Sequence, residues 1–206
     1  MARKSSCDVT SDPIPLPTLG GRVAVLGGNE QEKTALLVGL AMQQVRQQGT
    51  VLCVDARRHR PTEVQLRLLL RGPTPYLPLP SAGEVPVAVA QAVLSTISRS
   101  LADKDRLPPL LLLDSLPPTP EWARTLSFLL KAGVTVIELL RSPTDLIFGR
   151  YDTVLLLRAE GQEADALSRA VGRKVGATDL EQLPPGEGIY ITLARVQRVL
   201  LPTNMS

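Results

Sequence analysis

The sequence contains few aromatic residues, two cysteines and one histidine, and these shortages exclude several kinds of protein. Aromatic residues make up 3% of the 206 residues, so leucine, valine, isoleucine and alanine must fill the core. Cys7 and Cys53 provide neither a disulfide framework nor the spacing of a metal site. His59 has no obvious nucleophile or metal ligand near it in the sequence. A reducing, cytoplasmic location is the simplest expectation.

Long apolar runs are also missing from the sequence. The apolar runs are far shorter than the roughly 20 residues that a membrane-spanning helix needs. The N-terminal stretch is polar and then rich in proline, without the apolar centre of a signal peptide. We therefore expect a mobile tail over residues 1–19, one domain over residues 20–206, and no membrane partner. The net charge of +3 is compatible with a polyanionic partner but does not by itself predict one.

Short apolar segments alternate along the chain with longer amphipathic ones. This alternation predicts an α/β fold, because strands that are apolar throughout belong to a parallel sheet covered on both faces. We expect a three-layer sandwich around a mainly parallel sheet, closed by a C-terminal hairpin. The predicted strands are 22–26, 51–54, 110–113, 134–140 and 154–157, the hairpin strands are 189–193 and 196–200, and the predicted helices are 33–48, 63–70, 87–101, 121–131 and 164–171.

Several polar residues and a glycine pair follow the predicted strands directly. Asp55, Asp114 and Arg141 come at strand ends, and the Gly27-Gly28 pair follows the first strand. Ligands of open α/β sheets bind beyond the carboxyl ends of the strands. We therefore expect these residues to lie at one edge of the sheet.

A phosphate-binding loop is indicated between the first strand and the first helix. The intact pattern, G-x-x-x-x-G-K-[ST], wraps phosphates with backbone N–H groups, while the lysine contacts the outer phosphates and the hydroxyl binds Mg²⁺. This sequence fits the pattern except at Glu32, which replaces the second glycine. The candidate nucleotide-binding residues are Gly27, Gly28, Asn29, Glu30, Gln31, Glu32, Lys33 and Thr34.

Glu32 predicts that binding of ATP and Mg²⁺ is weak or absent. A carboxylate about 5 Å from a phosphate costs on the order of 3 kcal/mol at an effective dielectric constant of about 20. Glu30 can add to this repulsion, and Lys33 can offset part of it by pairing with either glutamate. In the alternative, Glu32 points to solvent and the loop binds nothing.

Asp114 ends an apolar strand of the kind that carries the second magnesium-binding residue in such sites. Together with Thr34 it is the candidate Mg²⁺ ligand. The alternative is that Asp114 caps the turn that follows, and the two roles are compatible. A separate basic cluster, consisting of Arg57, Arg58, Arg60, Arg67 and Arg71, is the candidate nucleic-acid or protein interface. A solvated helix face would show the same pattern.

The order of these segments resembles the RecA-fold family of P-loop ATPases over about residues 20–158. Residues 21–34, the stretch Thr50–Ala56 and the Asp114-Ser115 pair are similar to bacterial RecA. A second resemblance, over about residues 130–201, is to the HerA/FtsK branch and the conjugative coupling ATPases. It rests on residues 132–134, 141–146, 151–158 and 183–187. Both resemblances imply a RecA-like core sheet.

Each branch has a catalytic glutamate that this sequence lacks. The RecA-branch glutamate falls at Arg57 and the HerA/FtsK-branch glutamate at Ser115, while the polar residue that ends the fourth strand in these families falls near Leu140. Glu63 and Glu138 are candidate replacements that no motif places. Loss of a general base typically costs about 10²–10⁴-fold in rate, so we expect little or no ATP hydrolysis by the isolated chain.

Three functions compete at this point. The first is a degenerate RecA-like accessory subunit in DNA recombination, repair or damage tolerance, acting through a protein partner or its own oligomer and through DNA. The second is an active HerA/FtsK-type DNA-translocating ATPase, in which Arg141 or Arg150 serves as an arginine finger between subunits. The third is an interaction module that does not use nucleotide, because fold does not dictate function.

Overall fold

The computed structural model describes residues 14–47, 49–55, 76–78, 93, 95, 109–114, 120–147 and 149–202. The strands are β1 (Ile14–Pro15), β2 (Arg22–Leu26), β3 (Val51–Asp55), β4 (Tyr76–Pro78), β5 (Leu110–Asp114), β6 (Thr135–Leu139), β7 (Thr153–Leu156), β8 (Glu187–Ile191) and β9 (Val196–Leu200). The helices are α1 (Glu30–Arg46), α2 (Pro120–Lys131), α3 (Gly161–Ala170) and α4 (Ala177–Glu181), with a 3₁₀ turn at Pro143–Asp145.

All the described strands belong to one sheet with the order β1-β9-β8-β7-β2-β6-β5-β3-β4. Strands β7, β2, β6, β5, β3 and β4 are parallel, and β8 and β9 form an antiparallel hairpin at the other side. The predicted α/β class, mainly parallel sheet and C-terminal hairpin are therefore confirmed. Strand β2, which leads into the candidate phosphate loop, lies between β6 and β7 and is covered on both faces.

Alternating residues of each strand pack into different apolar clusters on the two faces of the sheet. On one face, Val23 and Val25 of β2 pack with Leu36 and Leu40 of α1. On the other face, α3 covers the β2–β7–β8 side and α2 covers the β3–β5–β6 side, where Trp122 is buried. This division makes the three layers that the sequence predicted.

Segments from both ends of the described chain complete the α1 layer. Leu16, Leu19 and Leu201 pack against the same apolar cluster as α1. The Leu16 N–H donates to the carbonyl of Leu200 at 3.1 Å. Residues 14–19 of the predicted mobile tail thus pack along the sheet in this structure, and residues 1–13 lie outside the described part of the chain.

Several other boundaries differ from the prediction. Helix α1 begins at Glu30 rather than Lys33, and α3 begins at Gly161 rather than residue 164. Tyr76–Pro78, which was not among the predicted strands, forms β4 beside β3. Two short elements, α4 and the 3₁₀ turn, were not predicted. The predicted helix 63–70 lies outside the described residues, and of the predicted helix 87–101 only Val93 and Ser95 are described, both helical.

Gly39 in the middle of α1 is held by the C-terminal segment. A Cβ atom at this position would overlap the backbone carbonyl of Pro202. We therefore expect Gly39→Ala to lower the free energy of unfolding by about 2 kcal/mol, as overpacking commonly does. Alanine otherwise stabilises a helix by about 1 kcal/mol relative to glycine. Urea unfolding of Gly39→Ala in a chain that ends at Leu201 should show a gain in stability, and a loss there would contradict this account.

Candidate functional site

The connection from β2 to α1 is a tight turn that requires glycine. Gly27 and Gly28 have φ angles of 75° and 72°, which side-chain-bearing residues rarely adopt. A Cβ at Gly27 would lie 2.7 Å from the carbonyl oxygen of Leu157. The Gly28 N–H donates to the carbonyl of Arg158 at 2.7 Å, which fixes the turn against the chain leaving β7. The predicted glycine turn therefore lies at the carboxyl end of β2.

The first turn of α1 begins earlier than a phosphate-wrapping loop allows. Only residues 27–29 separate β2 from α1, and Asn29 is the N-cap. The Asn29 side chain accepts the Glu32 N–H at 2.9 Å, and the Glu32 carboxylate accepts the Asn29 N–H at 2.8 Å. The predicted start at Lys33 missed this capping box, although an Asn followed three residues later by Glu is a sequence signal for it.

The charges at this turn are two carboxylates and one buried lysine. Lys33 is 8% exposed, and its Nζ lies 4.0 Å from a carboxylate oxygen of Glu30. Glu32 lies over the turn, with a carboxylate oxygen 3.2 Å from the position of a Cβ at Gly28. An anion bound at the turn would therefore lie near the Glu30 and Glu32 carboxylates, and the Lys33 ammonium is already close to Glu30.

This arrangement does not fit a bound phosphate. The N–H groups of Gly28, Asn29, Glu32 and Lys33 all have acceptors inside the protein. The Glu32 carboxylate lies at the turn itself, where it holds the Asn29 N–H and lies 3.2 Å from the position of a Cβ at Gly28. In this arrangement the turn offers a phosphate neither those N–H groups nor a site without a carboxylate.

The register of the sheet brings the other predicted strand-end residues to the same edge as the turn. Val25 pairs with Leu139, Leu139 with Asp114, and Asp114 with Asp55. Asp114 is thus two strands from β2, or about 10 Å at the usual strand spacing. This spacing is compatible with the predicted Mg²⁺ role beside Thr34 and does not test it. Ser115 and the basic cluster of Arg57, Arg58, Arg60, Arg67 and Arg71 lie outside the described residues.

The two candidate arginine fingers lie at opposite ends of the sheet. Arg141 is exposed just after β6, where the Leu140 N–H bonds to the carbonyl of Val25 at the end of β2. Arg150 is exposed before β7, near Asp152, whose N–H bonds to the carbonyl of Arg22 at the start of β2. Arg141 is therefore at the edge that holds the glycine turn, and Arg150 is at the far edge.

Glu138, a candidate replacement for the missing general base, is engaged elsewhere. Arg22 binds its carboxylate through two hydrogen bonds of 2.5 and 3.1 Å, and the Tyr151 hydroxyl donates to it at 3.1 Å. Burial and the charge of Glu138 raise the pKa of Tyr151, so the hydroxyl stays protonated. Burial lowers the pKa of Arg22, but the hydrogen bond and charge of Glu138 raise it by more. The group ties β2 and β6 to the chain entering β7.

Two residues at the site were not among the predicted site residues. The Arg158 carbonyl holds Gly28, and its side chain pairs with Glu160 at 2.8 Å. Leu157 packs where a Cβ at Gly28 would lie. No sequence signal marks either, because both act through their position after β7. Within the described part of the chain, no group of three or more His, Cys, Asp or Glu side chains could hold a metal ion.

No family model matches the sequence, and no curated protein matches it significantly. The fold is similar to that of B204, the DNA-packaging ATPase from Sulfolobus turreted icosahedral virus. The two share 12% identity and a TM-score of 0.64, over 87% of this chain and 96% of that one. The genome-packaging NTPase B204 of Sulfolobus turreted icosahedral virus 2, in complex with ATP-γS, gives 12% identity and a TM-score of 0.57 over the same shares. These likenesses show a P-loop NTPase fold. No helix among the described residues could span a membrane.

Proposed function

We propose that this chain is a P-loop-fold subunit of a DNA-handling assembly that hydrolyses ATP weakly or not at all on its own. The observation that carries the proposal is the Asn29–Glu32 capping box, in which a carboxylate takes a backbone N–H of the turn that a phosphate would otherwise accept from. Glu138, held by Arg22 and Tyr151, does not replace the missing base. The chain then contributes binding surface rather than turnover.

Two observations support the DNA part of this proposal. The sequence resembles RecA and the HerA/FtsK branch, and the fold matches a DNA-packaging ATPase along nearly its whole length. The RecA resemblance suggests an accessory role in recombination, repair or damage tolerance, which the chain would exert through a protein partner or its own oligomer. It rests on that resemblance alone.

A DNA-packaging or translocating ATPase is the second candidate. The match to B204 favours it, because it covers 96% of that chain. In such a motor, ATP would displace the Glu32 carboxylate, and Thr34 and Asp114 would hold Mg²⁺. Arg141 or Arg150 of one subunit would reach the turn of the next.

Steady-state ATP turnover, measured with and without double-stranded DNA, separates the two candidates. We expect the wild-type chain and Lys33→Ala to show the same low rate, with or without DNA. Arg124→Ala serves as the control, because it removes an exposed positive charge of α2 that does not belong to the turn. A DNA-stimulated rate that Lys33→Ala abolishes would replace the proposal by the packaging-type motor. If Lys33→Ala also changes no phenotype in the host, the nucleotide-independent interaction module is supported.

A further inference from the structure

The parallel strands begin at one end of the sheet, the amino edge, and finish at the other, the carboxyl edge, which holds the glycine turn. The amino edge carries several exposed basic side chains. Helices α1 and α2 each precede a strand that starts at this edge, so their C-terminal residues Arg46 and Lys131 lie there. Arg150 lies just before β7, and Arg195 lies in the turn between β8 and β9, which is at the same edge because Ile191 pairs with Val154. All four side chains are exposed.

The C-terminal end of α3 adds two more. Helix α3 starts at the carboxyl edge, where the Gly161 N–H donates to the Glu181 carboxylate. Helix α4 brings the chain back to that edge, where the Leu180 carbonyl accepts the Ala159 N–H. Between them, the C-terminal end of α3 and the turn after it carry exposed Arg169 and Arg173. With about 15 Å of helix in α3 and about 13 Å of strand in β7, that end reaches the amino edge.

Acidic side chains at this edge are few and already engaged. Among the described residues they are Asp152, whose carboxylate accepts the Arg22 N–H at 2.8 Å, and Asp179, whose carboxylate accepts the Gly176 N–H at 2.9 Å. None of the six basic residues forms an ion pair with another described residue. The edge that holds the glycine turn differs, because Glu30, Glu32, Glu160 and Glu181 lie there beside the basic residues Lys33, Arg141 and Arg158.

Helix geometry explains only half of this charge. Basic residues in the last turn stabilise a helix through its dipole, which accounts for Arg46, Lys131 and Arg169. Arg150, Arg173 and Arg195 lie outside helices and have no such reason to be basic. Arg173 has a φ of 57°, in the left-handed region that favours glycine over arginine. The Arg195 guanidinium lies 5.5 Å from the centre of the Tyr190 ring.

We infer that this amino edge, defined by Arg46, Lys131, Arg150, Arg169, Arg173 and Arg195, is the surface that docks the phosphate backbone of double-stranded DNA. From β9 to β3 the edge spans six strand spacings, or about 29 Å. That is close to one turn of B-form DNA, about 34 Å. The inference rests on the proposed DNA-handling role, and it assigns DNA to the end of the sheet that leaves the glycine turn free.

Fluorescence anisotropy with a labelled 30-base-pair duplex of arbitrary sequence, titrated from 50 to 200 mM KCl, tests this surface. We expect the triple variant Arg150→Gln/Arg173→Gln/Arg195→Gln to weaken binding at 100 mM salt on the order of 100-fold. The slope of log K against log salt should fall by about 2.7, since each lost phosphate contact contributes about 0.9. Glutamine keeps part of the aliphatic stem, and thermal unfolding checks that the variant is folded.

The charge-matched control is Arg57→Gln/Arg58→Gln/Arg60→Gln, which removes three positive charges from the basic cluster found in the sequence. Unchanged affinity in the amino-edge variant, with or without loss in the control, would overturn the inference while leaving the DNA-handling role intact. Absence of DNA binding by the wild-type chain would overturn both, and an acidic protein would then be the class of partner to test. Equal losses in the two variants would mean unspecific charge attraction, and this too would overturn the assignment of the surface.

Discussion

Replacing Glu32 by glycine should tighten binding of a fluorescent ATP analogue in the presence of Mg²⁺ by about 100-fold. The substitution removes a carboxylate from the glycine turn and frees the Asn29 N–H that it holds at 2.8 Å. Removing a charge about 5 Å from a phosphate is worth on the order of 3 kcal/mol at an effective dielectric constant of about 20. That energy corresponds to about two decades in the dissociation constant.

The same substitution should make the protein less stable. Glycine in a helix costs about 1 kcal/mol, and the capping box loses one of its two hydrogen bonds. Glu32→Gln separates the two effects, because its amide oxygen can still accept the Asn29 N–H without a charge. We expect Glu32→Gln to keep most of the stability and to recover only part of the affinity. Glu163→Gln, in the first turn of α3, is the control and should change neither. An unchanged affinity in Glu32→Gly would contradict the closed-turn account.

Glu138→Ala should lower the free energy of unfolding by about 3 kcal/mol, the lower end of the range for breaking a buried ion pair. It leaves the partly buried Arg22 side chain without its carboxylate, and it removes the acceptor of the Tyr151 hydroxyl. These three residues lie on the sheet face between the clusters covered by α2 and α3. Urea unfolding measures the loss.

The double variant Arg22→Met/Glu138→Leu tests whether the unpaired arginine causes the loss of stability. It removes both charges and leaves apolar side chains, so it should be more stable than Glu138→Ala alone. A double variant as unstable as the single one would mean that packing, rather than the unpaired arginine, accounts for the loss. Since Glu138 is expected to have no part in catalysis, any ATP turnover should be unaffected at temperatures where the variants are folded.

The sheet was predictable because its strands are continuous apolar runs, a pattern that leaves little choice but a covered parallel sheet. β2, β3, β5, β6 and β7 all lie within a residue or so of their predicted positions. The convergence of Asp55, Asp114 and Arg141 on one edge followed from strand direction alone. Short elements such as α4 were missed because five residues show no periodicity.

The candidate site was predictable in its position but not in its state. The motif located the glycine turn, yet it could not show whether Glu32 faces solvent or caps the helix. Whether Glu32 caps the helix depends on Asn29, three residues earlier. It also depends on Leu157 and Arg158, which follow β7 and contact the turn. The engagement of Glu138 was likewise hidden, since Arg22 is 116 residues away in sequence.

The most direct test of the central claim, that Glu32 closes the phosphate turn, is titration of the wild-type chain with a fluorescent ATP analogue and Mg²⁺, beside Lys33→Ala. If the turn is closed, the wild-type chain should bind with a dissociation constant in the millimolar range or not at all, and Lys33→Ala should bind about as weakly. Micromolar binding by the wild-type chain that Lys33→Ala abolishes would show that the turn accepts phosphate with Glu32 in place, and that Glu32 does not close it.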